Sequence, residues 1–127
     1  MSPGKRGQAV PRPTKKNEYE LVFATREAAQ GWTDCLATVR NAMVDAYDRL
    51  STHPEVETER QYRLQADYAT GTHNGVTYDR WQYKISSAGR LWYFIDATPT
   101  TRSAGRVLIE RAEPGHPKET DRTGSAR

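Results

Sequence analysis

The feature that most constrains the fold is a change in hydrophobic period along the chain. Between residues 28 and 50 the apolar residues recur at helical spacing, and beyond residue 62 short segments alternate apolar and polar residues. A helix and a sheet that each carry one apolar face must bury those faces against each other. The pattern therefore predicts an α+β domain, and 127 residues suffice for one such domain but not for two.

The predicted helix follows a short β-prone segment at residues 19–24. Thr25 is placed to serve as its N-cap, and Glu27 puts a favourable acid in the first turn. Pro54 disfavours helix in the residue before it, so the pattern stops near residue 52. The apolar stripe consists of Trp32, Cys35, Leu36, Val39, Met43, Ala46, Tyr47 and Leu50.

The periodicity permits one long helix. A break within residues 37–40 is also allowed, because Thr38 and Val39 are weak helix formers. The pattern by itself does not choose between these two arrangements.

A β-meander is predicted after the helix, because the strand-like segments are separated by clusters of Gly, Pro, Asn and Ser. In the strand at residues 62–64, Arg63 is expected to face away from the core. The expected order is a strand at 62–64, a loop at 69–75, a strand at 76–85, a hairpin turn at 86–89, a strand at 90–96, a loop at 99–105 and a strand at 106–111.

Alternation along these strands separates two faces of the sheet. The face expected to meet the helix holds Trp81, Tyr83, Ile85, Leu91, Tyr93 and Ile95. The opposite face is expected to be open, basic and aromatic, with Tyr78, Arg80, Gln82, Lys84, Arg90, Trp92 and Phe94. Aromatic rings among Arg and Lys can stack bases and neutralise phosphates of single-stranded RNA. The same residue types also stabilise any exposed antiparallel sheet, so both interpretations stay open.

The formal net charge of +3 lies mainly at the ends of the chain. Residues 1–17 and 122–127 hold seven of the 19 basic residues and none of the 16 acidic ones, so residues 18–121 hold 12 basic against 16 acidic groups, a net charge of −4. We expect both ends to be disordered tails, because they offer too little apolar surface to offset the entropy of ordering. The folded domain is predicted at residues 18–121.

Composition excludes several classes of protein. The apolar runs are too short for a membrane span, and no apolar stretch follows the basic N-terminal segment as in a secretory signal. A single cysteine, Cys35, rules out an internal disulfide framework and a cysteine-rich zinc site. We therefore expect a cytoplasmic protein.

Three motifs then follow each other in a recognisable order. They are WQYKI at residues 81–85, RLWYFID at 90–96 after a turn, and GHPKET at 115–120. This order resembles the RelE/ParE superfamily, and within it a RelE-like branch of actinobacterial type, over about residues 19–121. The resemblance implies a strand, a helical hairpin over residues 26–51 and a largely antiparallel meander.

The resemblance also implies a function. Such proteins are toxins of type II toxin-antitoxin systems that cut mRNA on the ribosome without a metal ion or other cofactor, and a cognate acidic antitoxin holds them inactive. A ParE-like inhibitor of DNA gyrase and a non-catalytic RNA- or protein-binding module share the fold and remain alternatives.

The resemblance assigns roles to particular residues. Arg90 matches the arginine after the hairpin turn that contacts phosphate, Lys84 is a phosphate clamp or proton carrier, and His116 lies where relatives place an acid or base. The further RNA contacts it implies are Arg80, Trp92, Arg111 and Lys118. Many relatives carry a C-terminal aromatic residue that stacks on RNA, but no aromatic residue follows Phe94 here, and Trp92 is the expected substitute.

Overall fold

Five strands of the chain form one mixed sheet in the computed structural model, which describes residues 4–115. The elements are β1 (Tyr19–Phe23), α1 (Arg26–Thr52), β2 (Gln61–Arg63), a short 3-10 helix (Ala66–Tyr68), β3 (Thr70–His73), β4 (Val76–Asp79), β5 (Trp81–Lys84), β6 (Arg90–Asp96) and β7 (Gly105–Glu113). The strand order is β1-β7-β6-β5-β2, in which β1 runs parallel to β7 and the other pairs are antiparallel. The predicted α+β class is therefore confirmed.

One face of the sheet packs against α1. Its buried residues come from both layers, with Met43 and Leu50 on the helix against Leu91, Tyr93 and Ile109 on the strands. The six strand residues expected on this face all lie there, five of them buried and Ile95 partly buried. Period-two alternation was sufficient to find them because β5 and β6 are each paired on both sides, and Ile85 directly follows β5.

The helix begins as predicted. The Thr25 Oγ1 accepts a hydrogen bond from the Ala28 amide at 2.9 Å and donates one to the Glu110 carbonyl at 2.9 Å, so the cap also ties the helix to β7. Gly31 lies where the helix approaches β7, and a Cβ there would come within 1.9 Å of the Ala112 carbonyl oxygen. A glycine mid-helix costs about 1 kcal/mol relative to alanine, and here it permits that close approach.

A kink interrupts α1 at a single residue. Val39 has φ −139° and ψ 56°, outside the helical region, and the helix resumes directly after it. The kink falls inside the 37–40 window where the sequence allowed a break. Val39 divides α1 into two helical segments, so the two helices that the resemblance implied lie within one continuous element and are joined at this residue. Among residues 4–115 this helix, like the short 3-10 helix, lacks the apolar length to cross a membrane.

Residues 69–75 are not the predicted loop. β3 and β4 pair as a two-stranded antiparallel hairpin, and the turn residues Asn74 and Gly75 have φ of 51° and 81°. Two consecutive positive φ angles define the type I′ turn, whose twist matches that of a hairpin. The single strand expected at 76–85 is correspondingly divided at Arg80 into β4, in the hairpin, and β5, in the main sheet.

This hairpin covers part of the sheet face that lies away from α1. The Tyr78 ring stacks on Phe94 with centroids 5.5 Å apart, and Gly71 lies directly over the same ring. Phe94 is consequently only 1% exposed, and Gln82, further along the face, is 6% exposed. The expectation of a fully open face is wrong at both positions. β3 and β4 form a small third layer over Phe94, whereas Gln82 lies between its hydrogen-bonded neighbours Tyr62 and Trp92.

Candidate nucleic-acid interface

The other half of that face carries three cations and a tryptophan. Strand register sets Lys84 opposite Arg90 and sets Trp92 opposite Arg111. A bulge in β7 follows, because Trp92 pairs with Arg111 while the next residue pairs with Ile109. The bulge leaves Glu110 as an extra residue, so that Glu110 and Arg111 can both reach this face. We name the group of Lys84, Arg90, Trp92 and Arg111 the cationic cluster.

Arg90 is fixed at the hairpin turn that precedes it. Its Nη1 donates to the carbonyls of Ser86 at 3.0 Å and Gly89 at 2.9 Å, which holds the guanidinium at the end of the sheet. The turn is closed independently by a bond from the Gly89 amide to the Ser86 hydroxyl at 2.9 Å. Arg90 thus has a structural contact as well as a position suited to an anion.

Lys84 lies beside two residues that the sequence analysis did not place in the site. Its Nζ is 5.7 Å from the centroid of the Tyr62 ring, and the Arg60 Nη1 donates to the Lys84 carbonyl at 3.2 Å. The prediction for β2 was wrong by one residue, because the strand spans Gln61–Arg63 and not residues 62–64. Gln61 faces the core instead of Tyr62, and Tyr62 rather than Arg63 turns away from it. Because a shift of one residue exchanges the two faces of a strand, three residues gave too short a pattern to fix the register.

A chain of hydrogen bonds orients the centre of the face. The Trp92 Nε1 donates to the Gln82 Oε1 at 2.8 Å, and the Gln82 Nε2 donates to the Tyr62 hydroxyl at 2.8 Å. Both the oxygen and the nitrogen of the buried Gln82 amide therefore have a hydrogen-bond partner. A buried polar side chain that is satisfied in this way fixes the geometry of its neighbours, here the indole and the phenol ring.

Arg80 anchors the β3–β4 hairpin to the sheet. Its Nε and Nη2 bind the two Glu110 carboxylate oxygens at 2.7 and 2.8 Å, and its Nη1 donates to the carbonyls of Tyr68 at 3.3 Å and Thr70 at 3.0 Å. The guanidinium also lies 5.3 Å from the Trp92 ring centroid. The RNA contact assigned to Arg80 stays a prediction, and a phosphate would have to compete there with the bidentate carboxylate.

Arg111 is more accessible to solvent than Arg80. Its guanidinium lies 5.1 Å from the Trp92 ring centroid, its Nε donates to a Glu113 carboxylate oxygen at 2.6 Å, and its side chain is 51% exposed. Exposed ion pairs contribute little and exchange readily, so Glu113 does not prevent Arg111 from binding another anion.

His116 and Lys118 lie outside the described residues. The last described residue, Gly115, has φ 99° and packs against the hairpin turn, where a Cβ would approach the Ala88 Cβ to 2.5 Å and the Gly89 amide nitrogen to 3.1 Å. The chain therefore leaves the described region beside the turn that carries Arg90. Within residues 4–115 no three His, Cys, Asp or Glu side chains are grouped so that they could hold a metal ion.

The strand order and the helix on one face define the fold. It is similar to the fold of toxins of the YoeB/ParE type. Among solved structures, a YoeB/ParE toxin from Agrobacterium tumefaciens matches with a TM-score of 0.53 and 13% identity, covering 74% of this chain and 96% of that one. The YoeB dimer from Staphylococcus aureus matches with a TM-score of 0.52 and 11% identity, covering 75% and 94%.

At these identities the likeness establishes the fold. A scan against protein-family models and a search of curated proteins each find no match to the sequence. Activity must therefore be argued from the chain's own residues.

Proposed function

We propose that the protein is the toxin of a type II toxin-antitoxin system and acts as a metal-independent endoribonuclease that cleaves mRNA on the ribosome. The observation that carries the proposal is the cationic cluster, in which Arg111 lies over the Trp92 ring and the opposed pair Lys84 and Arg90 lies further along the same sheet face. The two toxins of similar structure support the toxin assignment.

Cleavage without a metal ion requires a base for the 2′-hydroxyl, positive charge for the phosphorane and an acid for the leaving oxygen. Arg90 supplies a permanent charge held in place by the turn carbonyls. Lys84, directly opposite across the strand pair, supplies a second charge or carries a proton. His116 is the proposed acid or base, because imidazole titrates near neutral pH and the described chain ends beside Arg90.

Further RNA contacts are proposed for Arg111, Lys118 and Arg80, and Trp92 is the ring over which both arginines lie. Arg111 is exposed and its guanidinium lies over the Trp92 ring, and Lys118 would add a charge beyond His116. Arg80 is proposed only as an outer contact, since Glu110 and two carbonyls already engage it.

The proposed partner is an antitoxin with an acidic or amphipathic segment that covers the cationic cluster. Attraction to Lys84 and Arg90 would speed encounter, and burial of the exposed part of Trp92 would slow release. A ParE-like inhibitor of gyrase is the second candidate, because one of the similar structures is named as a YoeB/ParE toxin and because Arg90 has a structural role that needs no nuclease chemistry.

The test is growth inhibition by the expressed chain without antitoxin. Lys84→Ala, Arg90→Ala and His116→Ala should each abolish it, because losses of about a hundredfold or more follow removal of a positioned acid, base or charge stabiliser. Arg106→Ala is the matched control, since Arg106 is an exposed arginine at the far end of β7.

Melting temperatures close to the wild-type value would show that the variants are folded, which matters most for Arg90 because it also binds the turn. Full toxicity of all three variants at equal expression would contradict the nuclease assignment and favour the gyrase alternative.

A further inference from the structure

Tyr68 is an exposed aromatic residue at the boundary between the β3–β4 hairpin and the cationic cluster. Its ring lies 5.5 Å from the Trp92 ring centroid at an angle of 57°, and the residue is 56% exposed. The other aromatic residues at that end of the face are less accessible, because Tyr78 stacks on the buried Phe94. Tyr68 is thus the outermost ring of the face.

The backbone at Tyr68 is held rigidly. The 3-10 helix turns through Ala66 at φ 55°, and the Tyr68 amide donates to the Gln65 carbonyl at 3.1 Å. Arg80 donates from its side chain to the Tyr68 carbonyl and from its backbone amide to the Ala69 carbonyl at 2.9 Å. A ring on such a backbone loses little conformational entropy when a ligand packs against it.

Little of the Trp92 ring surface is accessible to an RNA base. Arg80 and Arg111 lie 5.3 and 5.1 Å from its ring centroid, and Tyr68 occupies a third contact, so a base could reach Trp92 only by displacing one of them. The Tyr68 ring, in contrast, is exposed to solvent. The exposed guanidinium of Arg111 lies close by, because both side chains contact Trp92.

We propose that Tyr68 is a base-stacking residue of the RNA site, packing one unpaired base while Arg111 holds a neighbouring phosphate. The proposal rests on the ribonuclease function proposed above and supplies the aromatic contact for which the C-terminal segment has no residue. Single-stranded RNA fits better than a protein segment, because the guanidiniums of Arg80 and Arg111 lie over the adjoining Trp92 ring and every base presents a face that can stack.

The test measures binding without cleavage. The probe is a 5′-fluorescein single-stranded RNA of about ten nucleotides, long enough for a site of this kind. It is 2′-O-methylated throughout, so that it has no 2′-hydroxyl nucleophile. Fluorescence anisotropy with the full chain freed of its antitoxin gives the dissociation constant. Tyr68→Ala should weaken binding roughly 5- to 150-fold, the usual loss of one base–aromatic stack, whereas Tyr68→Phe should stay within about threefold.

Phe23→Ala is the matched control, because Phe23 is also an exposed aromatic residue but lies on β1 at the opposite edge of the sheet from β2. It should bind the probe as the wild type does. Melting curves of both alanine variants exclude unfolding as the cause of a loss.

Three results would overturn the proposal. If the wild type binds the probe and Tyr68→Ala binds it equally well, the stacking role is wrong while the proposed function stands. If Tyr68→Ala weakens only the complex with the antitoxin, the ring serves a protein partner. If the wild type neither binds the probe nor cleaves unmodified RNA, the proposed function fails together with this inference.

Discussion

Replacing Arg80 with alanine should loosen the β3–β4 hairpin and destabilise the whole domain. The change removes two bonds to the Glu110 carboxylate and two bonds to the carbonyls of Tyr68 and Thr70. The Arg80 and Glu110 side chains are only 14% and 23% exposed, so Glu110 would keep its charge in a largely desolvated site without its partner.

The magnitude follows from that burial. Breaking a fully buried pair costs about 3–5 kcal/mol, and the remaining exposure of Glu110 allows some rehydration, so we expect about 3 kcal/mol. For a domain of this size that loss lowers the melting temperature by roughly 10–20 °C. The double variant Arg80→Ala, Glu110→Ala should recover part of the loss, because it no longer leaves a carboxylate unpaired.

The assay is thermal and urea unfolding followed by circular dichroism at fixed ionic strength. Asp79→Ala is the control, because the Asp79 carboxylate lies 3.9 Å from Arg63 in an exposed pair that should contribute under about 0.5 kcal/mol. An Arg80→Ala loss no larger than that of Asp79→Ala would refute the view that Arg80 anchors the hairpin.

Three further expectations concern the core, the buried thiol and the partner. Tyr93→Phe should cost about 1–2 kcal/mol in urea unfolding, because the Tyr93 hydroxyl donates to the buried Pro54 carbonyl at 2.8 Å. Burial raises the pKa of the Cys35 thiol to about 11, so thiol reagents at pH 8 should label it only after unfolding. The stabilisation linked to this shift is complete below the pKa of the unfolded thiol and is lost as the pH rises towards 11, which a pH series of unfolding curves would detect. The proposed antitoxin is the product of the adjoining reading frame, and salt should slow its association more than it hastens its release. Arg90→Glu and Trp92→Ala should weaken this binding. If the neighbouring product does not bind the chain at all, the prediction is wrong.

Local signals in the sequence predicted much of the fold. Thr25 directly precedes the segment with helical apolar spacing, and core-facing residues alternate strictly with outward-facing residues along β5 and β6. Both are properties of a few consecutive residues. The kink at Val39 was only one of two allowed outcomes, because weak helix propensity permits a break without requiring it.

The features that were missed depend on pairing between distant segments. β2 is three residues long, and only its register with β5 shows that Tyr62 joins Lys84. The β3–β4 hairpin did have a local signal, since Asn-Gly between strand-like residues favours a type I′ turn. Residues 69–75 were nevertheless predicted to be a loop because they hold two glycines and an asparagine. Because the hairpin was not predicted, neither the burial of Phe94 nor the position of Tyr68 could be predicted.

The roles of the cationic cluster could be predicted only through the family resemblance. The register places Lys84 directly opposite Arg90, and alternation along the strands had predicted only that the two residues share a face. It could not be foreseen that Arg80 would be engaged by Glu110, because that pair joins residues 30 positions apart across a bulge.

The most direct test of the central claim is cleavage of unmodified mRNA by the purified chain, freed of its proposed antitoxin and assayed alone in excess EDTA and, separately, with intact ribosomes in the magnesium buffer that they require. Attack by the 2′-hydroxyl predicts products with 2′,3′-cyclic phosphate and 5′-hydroxyl ends. Arg90→Ala should slow cleavage about a hundredfold or more while Arg106→Ala does not. Absence of cleavage under both conditions, or equal rates for wild type and Arg90→Ala, would contradict the account.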